Sequence, residues 1–307
     1  MIQPEISTDN STTNTTILRV DGHYDKLKNT KEFRHFYSHE SNHLEIASAI
    51  VKIITKKQIK LISYDVFDTA LLRECKSEAR RFWDISQNFS YAASEKYKSK
   101  KSKKVSFNTE DAFLARIAAA KASYSISETK NFNREGTLES IARITCDLLG
   151  CIELTPLYIS TEINYETNSL SPNLLLKTIK DLAPNIQSVF ISDMYLESDK
   201  IKKLLIGKLG VPANTVVYSS ADGFGRKQKK QLFPHVVKDL NQNAQEILHI
   251  GDSLISDYQM PRANGLNAFY LPMPKYEKQG RQDCYNSMCD NLLEQNINLR
   301  KLLNFNF

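Results

Sequence analysis

The chain has 307 residues, 41% of them hydrophobic and 25% charged, with a formal net charge of +6. That balance excludes a low-hydrophobicity disordered chain and leaves room for a core domain plus a large insertion. No stretch approaches the ~20 consecutive apolar residues of a membrane helix. The charge is modest, and much of it lies in the single run Lys96–Lys104, so neither membrane insertion nor nucleic-acid binding is expected.

In chain order, residues 1–20 are polar and rich in Thr and Asn, and are expected to be disordered. They show no apolar leader, so a cytoplasmic protein is expected. The sequons at Asn10 and Asn14 then go unused, and the five scattered cysteines stay reduced. Residues 21–76 read as a lead-in with a helix over 40–57 and a first strand, Leu61-Ile62-Ser63-Tyr64, ending in Asp65. His35, His39 and His43 recur every four residues. On one helix they would share a face, either as transition-metal ligands or as surface and partly packed histidines. After the first strand, helix-like stretches lie at Ser77–Lys98, Thr109–Ser123, Asn133–Leu149 and Pro172–Leu182, and residues 77–175 read as an inserted unit. From Thr69 to Val189 the chain runs about 120 residues, against the ~30 of a simple βαβ unit. A helical cap inserted after the first strand is therefore expected. The Lys96–Lys104 run reads as a solvated loop between its helices, or as an attractor of polyanions.

Residues 176–275 carry four more apolar runs with helical stretches at Glu197–Leu209, Lys229–Asn241 and Ser256–Asn264 between them. The runs are Val189-Phe190-Ile191 before Ser192-Asp193, Val216-Val217-Tyr218 before Ser219-Ser220, Ile247–Ile250 before Gly251-Asp252, and Ala268–Leu271. Short apolar strands alternating with helices predict an α/β protein, a Rossmann-like, doubly wound, parallel five-stranded sheet. Residues 276–307 read as a C-terminal tail or helix, with Leu292, Leu293, Leu299, Leu302 and Leu303 as candidates for a docking helix.

In such sheets the reactive groups collect at the carboxyl ends of the strands. Here those ends offer what phosphoryl transfer through a carboxylate needs. Asp65 is a rigidly held nucleophile. Asp252 and Asp257 are further carboxylates for a hard cation. Ser192 and Lys227 are a hydroxyl and a cation for phosphoryl oxygens. Asp257 can equally cap the helix that follows, and His249, inside a strand, reads as a satisfied buried histidine.

The four segments resemble, in order, the four motifs of the haloacid dehalogenase-like superfamily. They are Asp65-Val66-Phe67-Asp68-Thr69, Val189 to Asp193, Ser219 to Phe233 with Lys227, and Gly251 to Asp257 followed by Pro261 and Gly265-Leu266. The resemblance covers residues 59–273. It implies a phosphate monoester hydrolase working through an aspartyl-phosphate on Asp65. Ser192 and Lys227 would bind the phosphoryl group, and Thr69 would brace the first loop. Mg²⁺ would be held by Asp65, the Phe67 carbonyl, Asp252 and, more indirectly, Asp257. The family's phosphatases carry a second Asp two residues after the nucleophile as proton donor. Here that position is Phe67, and Asp68 and Asp193 are the candidate substitutes. Ser192 to Leu196, with the start of the first motif, look similar to a subgroup attached to bacterial surface-polysaccharide glycosyltransferases. A small, sugar-related phosphorylated metabolite and a glycosyltransferase partner are the implied partners. The rival readings are a metal-independent C–halogen hydrolase and a non-catalytic module.

Overall fold

A computed structural model describes residues 33–100, 106–131, 135–229 and 231–303. Its centre is a five-stranded sheet of β1 (Leu61–Asp65), β4 (Gln187–Ser192), β5 (Val217–Ser219), β6 (Ile247–Gly251) and β7 (Asn267–Tyr270). The order is β5-β4-β1-β6-β7, and every pairing is parallel. The predicted strands are therefore all present, and β1 lies in the middle with a partner on each side.

The sequence dictates a two-faced core. Along β1, Leu61 packs into one apolar cluster while Ile62 and Tyr64 pack into the other. Val189 and Ile191 likewise oppose Phe190, and Ile247 opposes Leu248 and Ile250. Side chains alternate across a strand, so a continuous apolar run can be stable only where both faces are covered. Helices α1 (Phe33–Ser38), α2 (Glu40–Lys57), α7 (Leu174–Leu182) and α8 (Ser198–Leu209) contribute Phe36, Ile50, Ile179 and Leu204 to one cluster. Helix α9 (Leu232–Asp239) contributes Leu232, Phe233 and Val236 to the other.

After β1 the chain makes a short strand, β2 (Leu71–Leu72), which pairs antiparallel with β3 (Ser171–Pro172). This ribbon closes off an insertion of four helices: α3 (Glu78–Lys100), α4 (Thr109–Asn131), α5 (Leu138–Leu148) and α6 (Thr155–Ser169). In α3 the buried Phe82, Ile85, Phe89 and Ala93 recur at three- and four-residue spacing. Thr137 caps α5, accepting the Ser140 N–H, so this helix begins later than expected.

Helix α6 was not foreseen in the sequence. Its inward residues are Tyr158, Glu162, Glu166 and Ser169, which have helical spacing but are mostly polar. Glu162 pairs with Arg116 at 3.2 Å, both fully buried, and Glu166 pairs with Arg81. Burial of charge is tolerated only with such partners.

The C-terminal segment, expected as a tail or helix, is mainly one long helix, α11 (Lys275–Glu294), followed by the short α12 (Leu299–Leu303). Two other expectations need correction. Residues 254–259 form a π-helical turn that continues into α10 (Met260–Ala263). The three histidines do not share a helix, because His39 is the extended residue between α1 and α2. His43 is buried against the Thr178 hydroxyl at 2.6 Å, while His35 and His39 are exposed. The segment 1–20 and Lys101 to Lys104 lie outside the described residues. No described helix is long and apolar enough to cross a membrane.

Candidate active site

Asp65 is the last residue of β1, and Ser192 is the last residue of its neighbour β4. Gly251 ends β6 on the other side, which delivers Asp252 to the same edge. Lys227 arrives on the loop after β5. It is 1% exposed, and its Nζ lies 2.5 Å from Asp65 Oδ1 and 2.8 Å from Asp257 Oδ1. Four separate chain segments thus meet at the sheet's carboxyl edge, as parallel α/β geometry demands. Ligand atoms of Asp65, Asp252 and Asp257 all lie within 4.8 Å of one another.

Asp257 is not the cap of the turn that carries it. Ser253 holds that place, its side chain accepting the Ser256 N–H. Instead Asp257 Oδ1 accepts from Lys227 and lies 3.1 Å from His249 Nε2, while Oδ2 accepts the Ser253 N–H at 3.0 Å. The seat is tight: a Cβ on Gly251 would come within 2.4 Å of the Asp257 side chain. Only glycine leaves room for that carboxylate. His249 is satisfied at both ring nitrogens, with Ser63 Oγ 2.9 Å from Nδ1. Its neutral form, donating from Nε2 to Asp257 and accepting from Ser63 at Nδ1, matches its lowered pKa, which burial causes.

The charges are unequal around the site. Burial raises Asp65, against the pull of Lys227, to about 7. Burial also raises Asp252 well above the usual range, reinforced by Asp65, Asp68 and Asp257. Asp257 is lowered, because Lys227 and His249 outweigh its own burial. Burial would lower Lys227, but Asp257, Asp65 and Asp193 hold it firmly protonated. The result is an ammonium in a crowd of carboxylates, of which Asp252 has no hydrogen-bond donor among the described residues.

Asp68 does not fill the place left by Phe67. It adopts φ +61, a left-handed conformation that Asp tolerates better than most residues. Arg281 of α11 donates to both its oxygens at 2.8 Å, and the Arg73 N–H donates to Oδ1 at 3.2 Å. Although burial pushes Asp68 up, these partners hold it below the ordinary carboxylate range. A carboxylate held ionised in this way is a poor proton donor. Phe67 is buried under the Arg73 guanidinium, 4.2 Å from its ring centre. Asp193 accepts the Lys227 N–H on both oxygens, at 3.0 and 3.1 Å, and burial raises its pKa.

Thr69 also departs from expectation. Its hydroxyl is buried without a partner among the described residues, and the bracing comes from Asn173, whose side chain donates to the Thr69 carbonyl at 2.8 Å. Asn173, Arg73, Arg281 and the supporting contact of His249 all escape sequence reasoning. Arg281 lies more than two hundred residues from Asp68 in a polar helix, where nothing local marks it.

No family model matches the sequence, and no curated protein matches it. Solved structures do. The HAD-hydrolase YfnB of Bacillus subtilis, bound to magnesium, is similar at 16% identity and TM-score 0.42, over 68% of this chain and 87% of that one. A 2-haloacid dehalogenase of Pseudomonas syringae is similar at 12% identity and TM-score 0.46, over 68% and 85%. The HAD family enzyme bt-2542 of Bacteroides thetaiotaomicron, in complex with magnesium and inorganic phosphate, is similar at 13% identity and TM-score 0.44, over 71% and 96%. None of these three exceeds a TM-score of 0.46.

Proposed function

We propose that this chain is a haloacid dehalogenase-like phosphohydrolase that hydrolyses a phosphate monoester through an aspartyl-phosphate on Asp65. The observation that carries this reading is the buried Lys227 ammonium bridging Asp65 and Asp257 at 2.5 and 2.8 Å beside Asp252. The bridge fixes the Asp65 carboxylate and places a cation where phosphoryl charge would collect. Asp65 attacks the phosphorus in line, and the bond from phosphorus to the ester oxygen breaks. The departing alkoxide takes a proton, and water then attacks the aspartyl-phosphate to release phosphate. Ser192 at the end of β4 is a phosphoryl-oxygen donor in this reading. Asp193 supplies the proton and later takes one from the attacking water, since Asp68 is committed to Arg281.

The donor set fits Mg²⁺. All the available ligands are oxygens, as a hard cation prefers. Asp252, pushed far up by burial and three neighbouring carboxylates, is the group whose ionisation a cation would relieve most. Asp65, Asp252 and the Phe67 carbonyl would hold the ion, with Asp257 acting through Lys227 and His249. The ion supplies neutralisation of phosphoryl charge. The same crowding disfavours a metal-independent C–halogen hydrolase, in which Asp252 would be a liability with no task. A sugar-related phosphorylated substrate and a glycosyltransferase partner belong to the proposal on the sequence resemblance alone, and a cytoplasmic location on the polar N-terminal residues and scattered cysteines.

Phosphate release from a panel of phosphate monoesters, with and without Mg²⁺, is the test. Activity is expected only with Mg²⁺, and it should disappear in Asp65→Asn. Undiminished turnover in that variant, or in EDTA, would overturn the mechanism.

A further inference from the structure

A cavity of about 1170 Å³ lies beside the first loop: Arg73 and Arg281 in its wall hold Asp68, and Gln228 in its wall follows Lys227. It exceeds the roughly 300–1,000 Å³ of an ordinary small-ligand pocket, so a phosphoryl group alone would leave most of it empty. Among the described residues, its wall comes from the segment before α3, from insertion helices α3 and α4, from the loops after β4 and β5, and from tail helix α11 with the residues just before it. Eight of the lining side chains are Arg or Lys, and one, Glu78, is a carboxylate.

Several of these cations are held from behind by acids. Arg81 and Arg116 pair with α6, Arg226 pairs with Glu135, and Arg281 pairs with Asp68 and Glu277. The pairing leaves donors unused. Nε of Arg73, Nε of Arg81, and both Nε and Nη1 of Arg116 are buried without a hydrogen-bond partner among the described residues. These nitrogens carry almost no accessible surface, so a ligand in the cavity would meet the exposed cations of its rim and not these atoms. At the exposed rim, Lys229 and Lys278 form no ion pair with any described residue. Neighbouring positive charges without counter-charge focus an attractive field for anions.

We infer that this cavity holds a second phosphoryl group of the substrate, which makes the substrate class a bisphosphorylated small molecule. This rests on the reading of Asp65 as phosphoryl acceptor. The phosphate to be cleaved sits with Asp65 and Lys227, and the second sits among the cations contributed by α11, α3 and the Arg226–Lys229 loop. A phosphate near neutral pH carries about −1.5 to −2 charge and three acceptor oxygens. It can therefore engage cations from more than one element at once.

The experiment uses Asp65→Asn, which is expected to bind without turnover. Affinities for fructose bisphosphate and fructose monophosphate are measured by calorimetry in Mg²⁺. The bisphosphate should bind at least about tenfold more tightly. Adding Lys229→Gln and Lys278→Gln should compress that ratio toward one. Equal affinities in Asp65→Asn, or a ratio unmoved by the lysine changes, would overturn the inference. The phosphohydrolase reading fails separately. Wild-type protein that binds the bisphosphate preferentially but releases no phosphate from any ester would sink that reading and leave the anion site standing.

Discussion

Arg281 ties the tail helix to the loop that carries Asp65, and removing it is the most direct test of how the site is built. Its guanidinium donates to both oxygens of Asp68 at 2.8 Å and to Glu277 at 2.9 Å, and the side chain is 18% exposed. Arg281→Met leaves two buried carboxylates short of a counter-charge. Breaking a buried pair from one side costs about 3–5 kcal/mol. Arg73 remains as a second partner, its backbone N–H at 3.2 Å and its guanidinium at 3.9 Å from Asp68, so about 2–3 kcal/mol is expected. In urea unfolding this corresponds to a midpoint lowered by about 1 M. Asp68→Asn keeps the left-handed backbone, because Asn adopts φ +61 as readily as Asp. The double variant Arg281→Met with Asp68→Asn should recover part of the loss, with a coupling of about 1–3 kcal/mol. Additive effects, or a cost under about 0.5 kcal/mol for Arg281→Met, would refute the idea that α11 braces the first loop.

Three further outcomes follow. Gly251→Ala places a methyl within 2.4 Å of the Asp257 side chain, so the carboxylate must move off Lys227; phosphate release should fall about 10²-fold, with far-ultraviolet circular dichroism retained. His249 has a folded pKa below its ordinary 6.5, so the unfolded chain takes up the proton first as pH falls. Its contribution to stability is present above pH 6.5 and lost as pH drops through that value toward the folded pKa. Urea midpoints measured from pH 7.5 to 5 should therefore fall more steeply in wild type than in His249→Gln; parallel profiles would contradict this. In single-turnover experiments Asp193→Asn should slow leaving-group departure by about 10²-fold or more, and Asp68→Asn much less. The reverse order would return the acid role to Asp68.

The sheet was legible because its strands are apolar runs that end in small or acidic residues. Leu61–Asp65 and Ile247–Gly251 announce both their burial and their reactive ends. Within the site, Asp65, Lys227, Asp252 and Asp257 were legible as types at spacings, and the structure brings them together. What stayed hidden depends on pairs distant in sequence. Helix α6 buries Glu162 and Glu166 against Arg116 and Arg81, so its inner face has the spacing of a helix without the hydrophobicity by which one is recognised. Asn173 bonds to Thr69 across 104 residues, and Arg281 bonds to Asp68 across 213. No local pattern reports such partners. The glycine of Gly251-Asp252 is a partial exception: a small residue at a strand end is readable, while its purpose, room for Asp257, is not.

The first loop shows how one displaced carboxylate reorganises a site. Two residues after Asp65 stands Phe67, which is buried beneath Arg73 and contributes no proton. One place further on, Asp68 faces a different neighbourhood, because successive residues of a tight turn project differently. Its positive φ and the Asp68 N–H to Leu71 carbonyl bond at 2.8 Å hold that turn. The carboxylate then meets Arg281, and a two-pronged ion pair keeps it charged. A charged carboxylate next to Asp252 adds to the negative potential there, which strengthens the demand for a cation at the site. In the proposed mechanism Asp68 is therefore an electrostatic brace and not a proton donor: it attaches the tail helix to the carboxyl edge of the sheet and leaves proton transfer to a group outside the first loop. Asp193 meets that requirement in the proposed mechanism: burial raises it, and it is tethered by its own hydrogen bonds to the backbone of Lys227.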